Sequence, residues 1–288
     1  MILMTDMNPL HSMPSPRAVE RALEDAFVVC MCSYPNETSE LADVILPVPL
    51  MPERSGTVTN GERRVRPVRP AVPPYGSSRQ EWEIAVELSR LLGRGIEYSS
   101  TAEITREIVE LAPGYGGIRV EALLEGLDQW AEKAPRGARF EVAEDPGPVS
   151  QAPDEWILVD LRSPQHFLGG ELTWRVRSLA RASGGPAVLM NPGDVEDLGL
   201  RGSRVRVCSA AGCLEAPVRE SSVVPRGFLG YYLSNRGMRY NDLVPPELSA
   251  CSRTPRYKYI PVRLYAGGRQ LSPPARGIAV EAADSGDV

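Results

Sequence analysis

The stretch AFVVCMCSYPNETSELADVILP, residues 26–47, decides the fold of the first part of the chain. Residues 26–33 are a short apolar run of strand type. NETSELAD, 36–43, then opens a helical turn, with Asn36 or Thr38 as its cap and Glu37 in its first turn. A second apolar strand, DVILPVPL, 43–50, follows and is ended by Pro47 and Pro49. Just upstream, PRAVERALEDA, 16–26, has helical spacing and begins on proline. Helix, strand, turn and strand in so short a span predict an α/β layer with sequential strands parallel.

Bulk properties bound what surrounds this core. The 288 residues are enough for two domains of ordinary size. A net charge of −5 gives no reason to expect nucleic-acid binding, although arginine greatly outnumbers lysine. No apolar run approaches the roughly 20 residues needed to cross a bilayer. The N-terminus carries Asp6 early and lacks the basic start of a secretory signal, so the expected location is the cytoplasm. The 5 cysteines stand at 30, 32, 208, 213 and 251, and no pair has CxxC spacing. Neither a disulfide framework nor an iron–sulfur cluster held by this chain alone is expected. Cys30 and Cys32 share one strand face, so they are either a shared ligand pair or two small core thiols, the commoner case.

Beyond residue 50 the pattern loosens, then changes character. Residues 52–78, rich in Pro, Gly and Arg, read as a long loop of the kind that is functional or disordered. RQEWEIAVELSRLLG, 79–93, is an amphipathic helix closed by Gly93. TAEITREIVELA, 101–112, is a second helix capped by Thr101, and a weaker one covers 118–132. A proline-rich stretch without apolar runs places a linker at 136–155 between an α/β segment, 1–135, and a strand-rich domain, 156–267. Strands are expected at 156–162, 186–191, 228–233 and 257–265. Residues 203–221 read as a hairpin turning at Ala211–Gly212, with Val205 and Val207 alternating with Arg204 and Arg206. Many short strands with glycine turns suggest a small closed barrel. The tail, 268–288, reads as flexible.

Several motifs in order then carry a resemblance. MNPLHSMP, RAVERALEDAFVVCMCSYPNETSELADVILP, ERSGTVTNGERRVR and PPYGSSRQEWEIAVELSRLLG resemble the late catalytic-domain segments of molybdopterin oxidoreductases, most closely the formate dehydrogenase group and the related large peripheral subunit of respiratory complex I. LRSPQHFLGGELTWRVRSL, PAVLMNPGDVEDLGLRGSRVRVCSAAG and RTPRYKYIPVRL are similar to the family's C-terminal dinucleotide-binding domain. The resemblance implies a partial Rossmann-like α/β layer followed by a mainly-β double-psi β-barrel. It also implies that MNPL corresponds to a point far past the family's iron–sulfur and metal-ligand segments. Cys30 and Cys32 do not fall where the family places a metal ligand.

A pterin guanine dinucleotide needs arginine forks and backbone N–H groups for its pyrophosphate, and side chains that both donate and accept for its rings. By resemblance Arg162, Ser163, Gln165 and His166, with Thr173, Arg175 and Ser178 beyond the Gly169–Gly170 turn, lie against the pterin near the metal, and Arg162 and His166 are the catalytic candidates. Asn241, Tyr257 and Lys258 match other pterin contacts. Their bland readings are a satisfied loop histidine at 166, a turn asparagine at 241 and a solvated strand residue at 258. Asn60 adds an amide in the glycine loop; Arg63, Arg64 and Arg66 are anion candidates, or a basic loop that packs on a neighbouring subunit. Glu53 reads as a local salt-bridge partner.

The expected function is the cofactor-binding subunit of a split molybdenum or tungsten oxidoreductase that converts formate to carbon dioxide. A partner chain supplies the cluster and metal ligand, and electrons pass to iron–sulfur subunits. The other readings are a cofactor-free scaffold of a complex I-like assembly, a pure interaction module, and a truncated product. An exposed sheet edge should make the chain sticky alone.

Overall fold

A computed structural model describes residues 1–131, 152, 154–248, 253–255 and 257–274. In chain order the elements are β1 (Ile2–Thr5), α1 (Pro9–Ser12), α2 (Pro16–Glu24), β2 (Val28–Cys32), β3 (Val44–Pro47), β4 (Gly56–Thr59), β5 (Arg64–Val68), α3 (Glu81–Leu91), α4 (Thr101–Leu111), α5 (Val120–Leu124) and β6 (Gln129–Trp130). They continue with β7 (Trp156–Leu161), α6 (Arg177–Ser183), β8 (Val188–Met190), α7 (Pro192–Asp197), β9 (Arg204–Cys208), β10 (Cys213–Glu220), β11 (Phe228–Tyr232), β12 (Ile260–Ala266) and β13 (Arg269–Leu271). Two compact units share the chain: Met1–Met7, Phe27–Pro35 and Ala42–Pro146 form one; Asn8–Ala26, Asn36–Leu41 and Gly147–Val288 form the other. Most of the expected linker, 136–155, and of the expected tail, 268–288, lies outside the described residues.

The first unit is α/β, as the opening stretch predicts. Its parallel sheet runs β1-β2-β3, with Leu3 beside Val29 and Val29 beside Val44. Every residue of central β2, VVCMC, is buried, the mark of a parallel strand covered on both faces. Cys30 and Cys32 are free core thiols, and burial with the neighbouring Cys32 pushes the Cys30 thiol up to about 12. Helix α3 packs Ile84 and Leu88 onto Met31, Leu46 and Val48, and Gly93 follows it at φ +68. Edge strand β3 leaves Ile45 48% exposed.

Three expectations fail in this unit. The long loop at 52–78 contains the β4–β5 hairpin, which joins β6 in an antiparallel sheet. Its signal was present: Val65 alternates with Arg64 and Arg66 and is buried with Ile118 and Leu123. The helix expected at 118–132 is only α5, and the chain then extends into β6 so that Trp130 meets the Arg64 guanidinium, 4.8 Å from its ring centre. Helix α4 is capped by Ser100, whose Oγ accepts from Glu103 N, and Thr101 is already helical.

The second unit is a closed barrel, the expected double-psi architecture. Strands run β13-β12-β7-β11-β8-β10-β9, and β9 pairs back onto β12 with Val207 beside Leu264. The pairs β7–β11 and β8–β10 are parallel; the others are antiparallel. Period-2 alternation fills the interior: Val205 and Val207 of β9 and Val262 and Leu264 of β12 are buried, while Arg204, Arg206 and Arg263 face out. Trp156 is fully buried and donates from Nε1 to Leu271 O at 2.8 Å, so residues 269–271 of the expected tail are a strand. Gly230 is required on β11, because a Cβ there would stand 2.8 Å from Leu161 Cδ1 and 2.9 Å from Val224 Cγ2. Asn191 caps α7 by accepting from Gly193 N, and buried Asp194 accepts from Arg226 Nε and Gly227 N. Cys208 and Cys213, directly opposite across β9–β10, are joined in a disulfide, which the sequence reading did not anticipate.

One carboxylate near the end of β7 is costly. Asp160 has a side chain 2% exposed, with Oδ2 3.1 Å from Arg162 Nη2. Burial raises its pKa, and this outweighs the opposing Arg162, the Leu233 N–H and Lys258. A raised folded-state pKa means that stability falls as pH rises above the unfolded value of about 3.9. Asp160→Asn should therefore raise the melting temperature at pH 7–8, and the gain should vanish below about pH 3, where both states carry the proton. A stability gain independent of pH would contradict this account. Trp156→Phe should cost about 1 kcal/mol, the hydrogen bond to Leu271, and Trp156→Ala about 3–5 kcal/mol, both read by urea denaturation.

Candidate functional site

The loop that leaves β7 is built by short-range hydrogen bonds. Buried Ser163 donates from Oγ to Gln165 Oε1 at 2.8 Å and accepts from Gln165 N at 3.3 Å. His166 N donates to Ser163 O, which turns the histidine inward. The His166 ring stacks on Trp174, centroids 4.4 Å apart and planes 16° apart. Trp174 Nε1 in turn donates to Ser234 O, just beyond β11. Gly170 makes this closure possible: its φ is +77, and any Cβ there would overlap the indole.

The other wall comes from the N-terminal segment of the same unit. Asn8 Nδ2 donates to both Glu37 Oε2 at 2.7 Å and Glu171 Oε1 at 2.6 Å, and Arg236 Nη2 lies 2.6 Å from Glu171 Oε2. Thr38 Oγ1 donates to Asn8 Oδ1, fixing which end of the amide faces the carboxylates. Burial pushes the Glu37 carboxyl up, but its hydrogen bonds, including Asn8, together with nearby Arg236 and His11, bring it below the usual range. His11 sits behind Gly169, where a Cβ would stand 2.9 Å from His11 Cδ2, and its carbonyl accepts from Asn241 Nδ2 at 2.6 Å. Tyr257 donates to Ser12 O at 3.0 Å. The loop after β7 and Asn241 thus both pack on residues 8–15.

The protonation states follow from these contacts. Thr173 Oγ1 donates to Gly170 O, so it accepts from His166 Nδ1–H at 2.8 Å. Nε2 is then the bare nitrogen, and burial lowers the His166 pKa, which keeps the ring neutral at neutral pH. Nε2 is also buried without a partner, as are His11 Nε2, Asp160 Oδ1, Ser234 Oγ, Asn235 Oδ1 and Asn241 Oδ1. Each such atom costs about 1–3 kcal/mol unless a ligand answers it. The set consists of acceptors, or groups able to accept, beside the cations Arg162, Arg236 and Lys258. That chemistry fits a ligand with ring N–H and amino donors and an anionic linker, as a pterin guanine dinucleotide has.

Not every residue singled out in the sequence gathers here. Ser163, Gln165, His166, Thr173, Asn241 and Tyr257 are tied to this neighbourhood, and Arg162 and Lys258 lie beside Asp160 at the end of β7. Arg175 and Ser178 are exposed where the loop enters α6. Asn60 belongs to the first unit, where its Oδ1 accepts from Glu62 N and Arg64 N in the β4–β5 turn. Arg64 and Arg66 pair with Asp128, and Glu53 accepts from Leu50 N. The sequence reading missed Asn8, His11, Glu171, Trp174 and Arg236. Their one signal was His11, the second of only 2 histidines.

Among the described residues, no group of His, Cys, Asp and Glu could hold a metal ion, and no helix is long and apolar enough to cross a membrane. Residues 1–91 match the molybdopterin oxidoreductase family, and residues 157–261 match the molydopterin dinucleotide binding domain. The chain is 30% identical over 279 residues to the F420-dependent formate dehydrogenase subunit alpha of Methanocaldococcus jannaschii, covering 85% of this chain and 41% of the relative. It is 28% identical to formate dehydrogenase H of Escherichia coli, covering 89% of this chain and 39% of the relative. The chain therefore spans about two-fifths of the length of these curated relatives. Acetylene hydratase from Pelobacter acetylenicus has the same fold, with a TM-score of 0.69 at 17% identity, over 91% of this chain and 44% of that one. With both family segments present in order on an α/β unit and a closed barrel, the chain belongs to the molybdopterin oxidoreductases, as a C-terminal portion related to formate dehydrogenase alpha subunits.

Proposed function

We propose that this chain is the dinucleotide-binding part of a cytoplasmic, formate dehydrogenase-like oxidoreductase. A partner chain supplies the iron–sulfur cluster and the metal ligand, and iron–sulfur subunits carry the electrons away. The observation that supports this reading best is the set of buried, unanswered acceptors on His166, Asp160, Ser234, Asn235 and Asn241, with Arg162 and Lys258 beside Asp160. A scaffold without cofactor would have no use for that arrangement. When bound, the pterin guanine dinucleotide with molybdenum or tungsten supplies the two-electron redox chemistry.

The chain's own residues bind and orient. His166, Ser234, Asn235 and Asn241 accept from ring and amino N–H groups. Arg236 and Lys258 counter the pyrophosphate. Oxidation of formate to carbon dioxide releases a proton and two electrons, and Arg162 offers charge to the formate carboxylate. Thr173 keeps His166 in the tautomer whose Nε2 is free to accept.

The complex isolated through this chain should contain molybdenum or tungsten and release GMP on acid hydrolysis. His166→Ala and Asn241→Ala should each lower GMP content at limiting cofactor, by about tenfold in affinity, the worth of one hydrogen bond. Isolation with partner chains but with neither metal nor GMP would favour the cofactor-free scaffold instead. Gly170→Ala should reduce GMP content in the same assay and cost about 1–3 kcal/mol of stability, because the new Cβ collides with Trp174 at a left-handed φ.

A further inference from the structure

We propose that Cys208 and Cys213 form a reversible redox clasp whose state controls the packing of the turn that carries Asn241. Three observations converge on it. The two cysteines lie opposite each other at the turn end of the β9–β10 ladder and close a loop of sequence separation 5. Cross-linking stabilises least when the loop is short, and these strands are already paired from Leu214–Val207 to Pro217–Arg204. The bond therefore does little for the barrel as a whole.

The second observation is access. Cys213 is exposed and Cys208 half-buried, whereas Cys30 and Cys32 are sealed in the first unit. Arg206 shares the outer face with Cys208, and Arg263 lies directly across from it on β12. Arg263 is itself paired with Asp154 at 3.6 Å, so the disulfide sits on an outward-facing surface of mixed charge.

The third observation is what the hairpin tip touches. The turn Ser209–Gly212 is held by Ser209 N donating to Gly212 O. Gly212 lies so close to the turn Tyr240–Leu243 that a Cβ on it would stand 2.8 Å from Asp242 O. Asn241 is the neighbouring residue, and its Nδ2 holds His11 O. Loosening the tip therefore loosens the backbone that aims Asn241.

The exchange is balanced with a dithiol reductant. One reductant thiolate attacks the exposed Cys213 sulfur, the Cys208–Cys213 bond breaks, and Cys208 leaves as thiolate and takes a proton. The reductant's second thiol then attacks its own mixed-disulfide sulfur, closing the oxidised reductant and releasing Cys213 as thiol. Glutathione disulfide reverses the reaction, taking up two electrons and two protons.

The full chain, equilibrated with glutathione disulfide or with dithiothreitol, should be unfolded in acid, alkylated and mapped by mass spectrometry. Cys208 and Cys213 should be protected only in the oxidised sample. Amide exchange of the peptide covering residues 238–245 should then quicken roughly threefold or more on reduction, and Cys208→Ser/Cys213→Ser should show no such difference. Alkylation of both cysteines after oxidation, or unchanged exchange over 238–245 on reduction, would overturn the proposal. Neither readout needs cofactor, so either failure leaves the nucleotide reading intact.

Discussion

The pairing of β9 with β12 is the constraint on which the second unit depends. With Val207 beside Leu264, six strands close and no edge remains among them. Closure fixes where β7 and β11 end, because these two run parallel, with Tyr231 beside Asp160. The loop carrying Arg162 and His166 leaves one end, and Ser234 and Asn235 follow the other. The residues of the candidate site are thus placed by a barrel whose own core holds Trp156, Leu158, Val205 and Val262 among others.

The site is held together by polar contacts at some expense in stability. Asn8 reconciles two carboxylates, Glu37 and Glu171, by giving a hydrogen to each, and Arg236 balances the charge. The stack of His166 on Trp174 and the hydrogen bond from Trp174 to Ser234 O turn a glycine-rich loop into a rigid wall. Orphaned acceptors and a buried Asp160 oppose folding of the chain by itself. Such costs are common where a binding surface is prepared ahead of its ligand.

The α/β opening was legible because Val28–Cys32 is uniformly apolar and Val44–Pro47 follows at the distance one turn requires. The barrel strands were legible from alternation around Val205, Val207 and Leu264. Strands β1, β6 and β13 were not, since pieces of two to four residues carry too little period. The β4–β5 hairpin carried only the short alternation around Val65, in a stretch whose proline and arginine content reads as loop. In the site, His166 and Asn241 came from resemblance, which carries positions but not partners. Asn8 and Glu171 meet across 163 positions of sequence, and no local pattern encodes that. The disulfide was within reach: the hairpin reading already set 208 and 213 on opposite arms.

The path of the chain between the units has a practical outcome. Residues 8–26 and 36–41 fold with the barrel, while the strands on either side of them fold with the α/β sheet. The boundaries of the matched family segments, 1–91 and 157–261, therefore do not coincide with the compact units. A recombinant barrel cut from the linker onward would lack Asn8, His11 and Glu37, and with them the floor beneath the loop that follows β7. During synthesis residues 8–26 and 36–41 therefore wait for the barrel strands, β7 to β13, before they find their partners, while the α/β unit needs nothing from that later stretch.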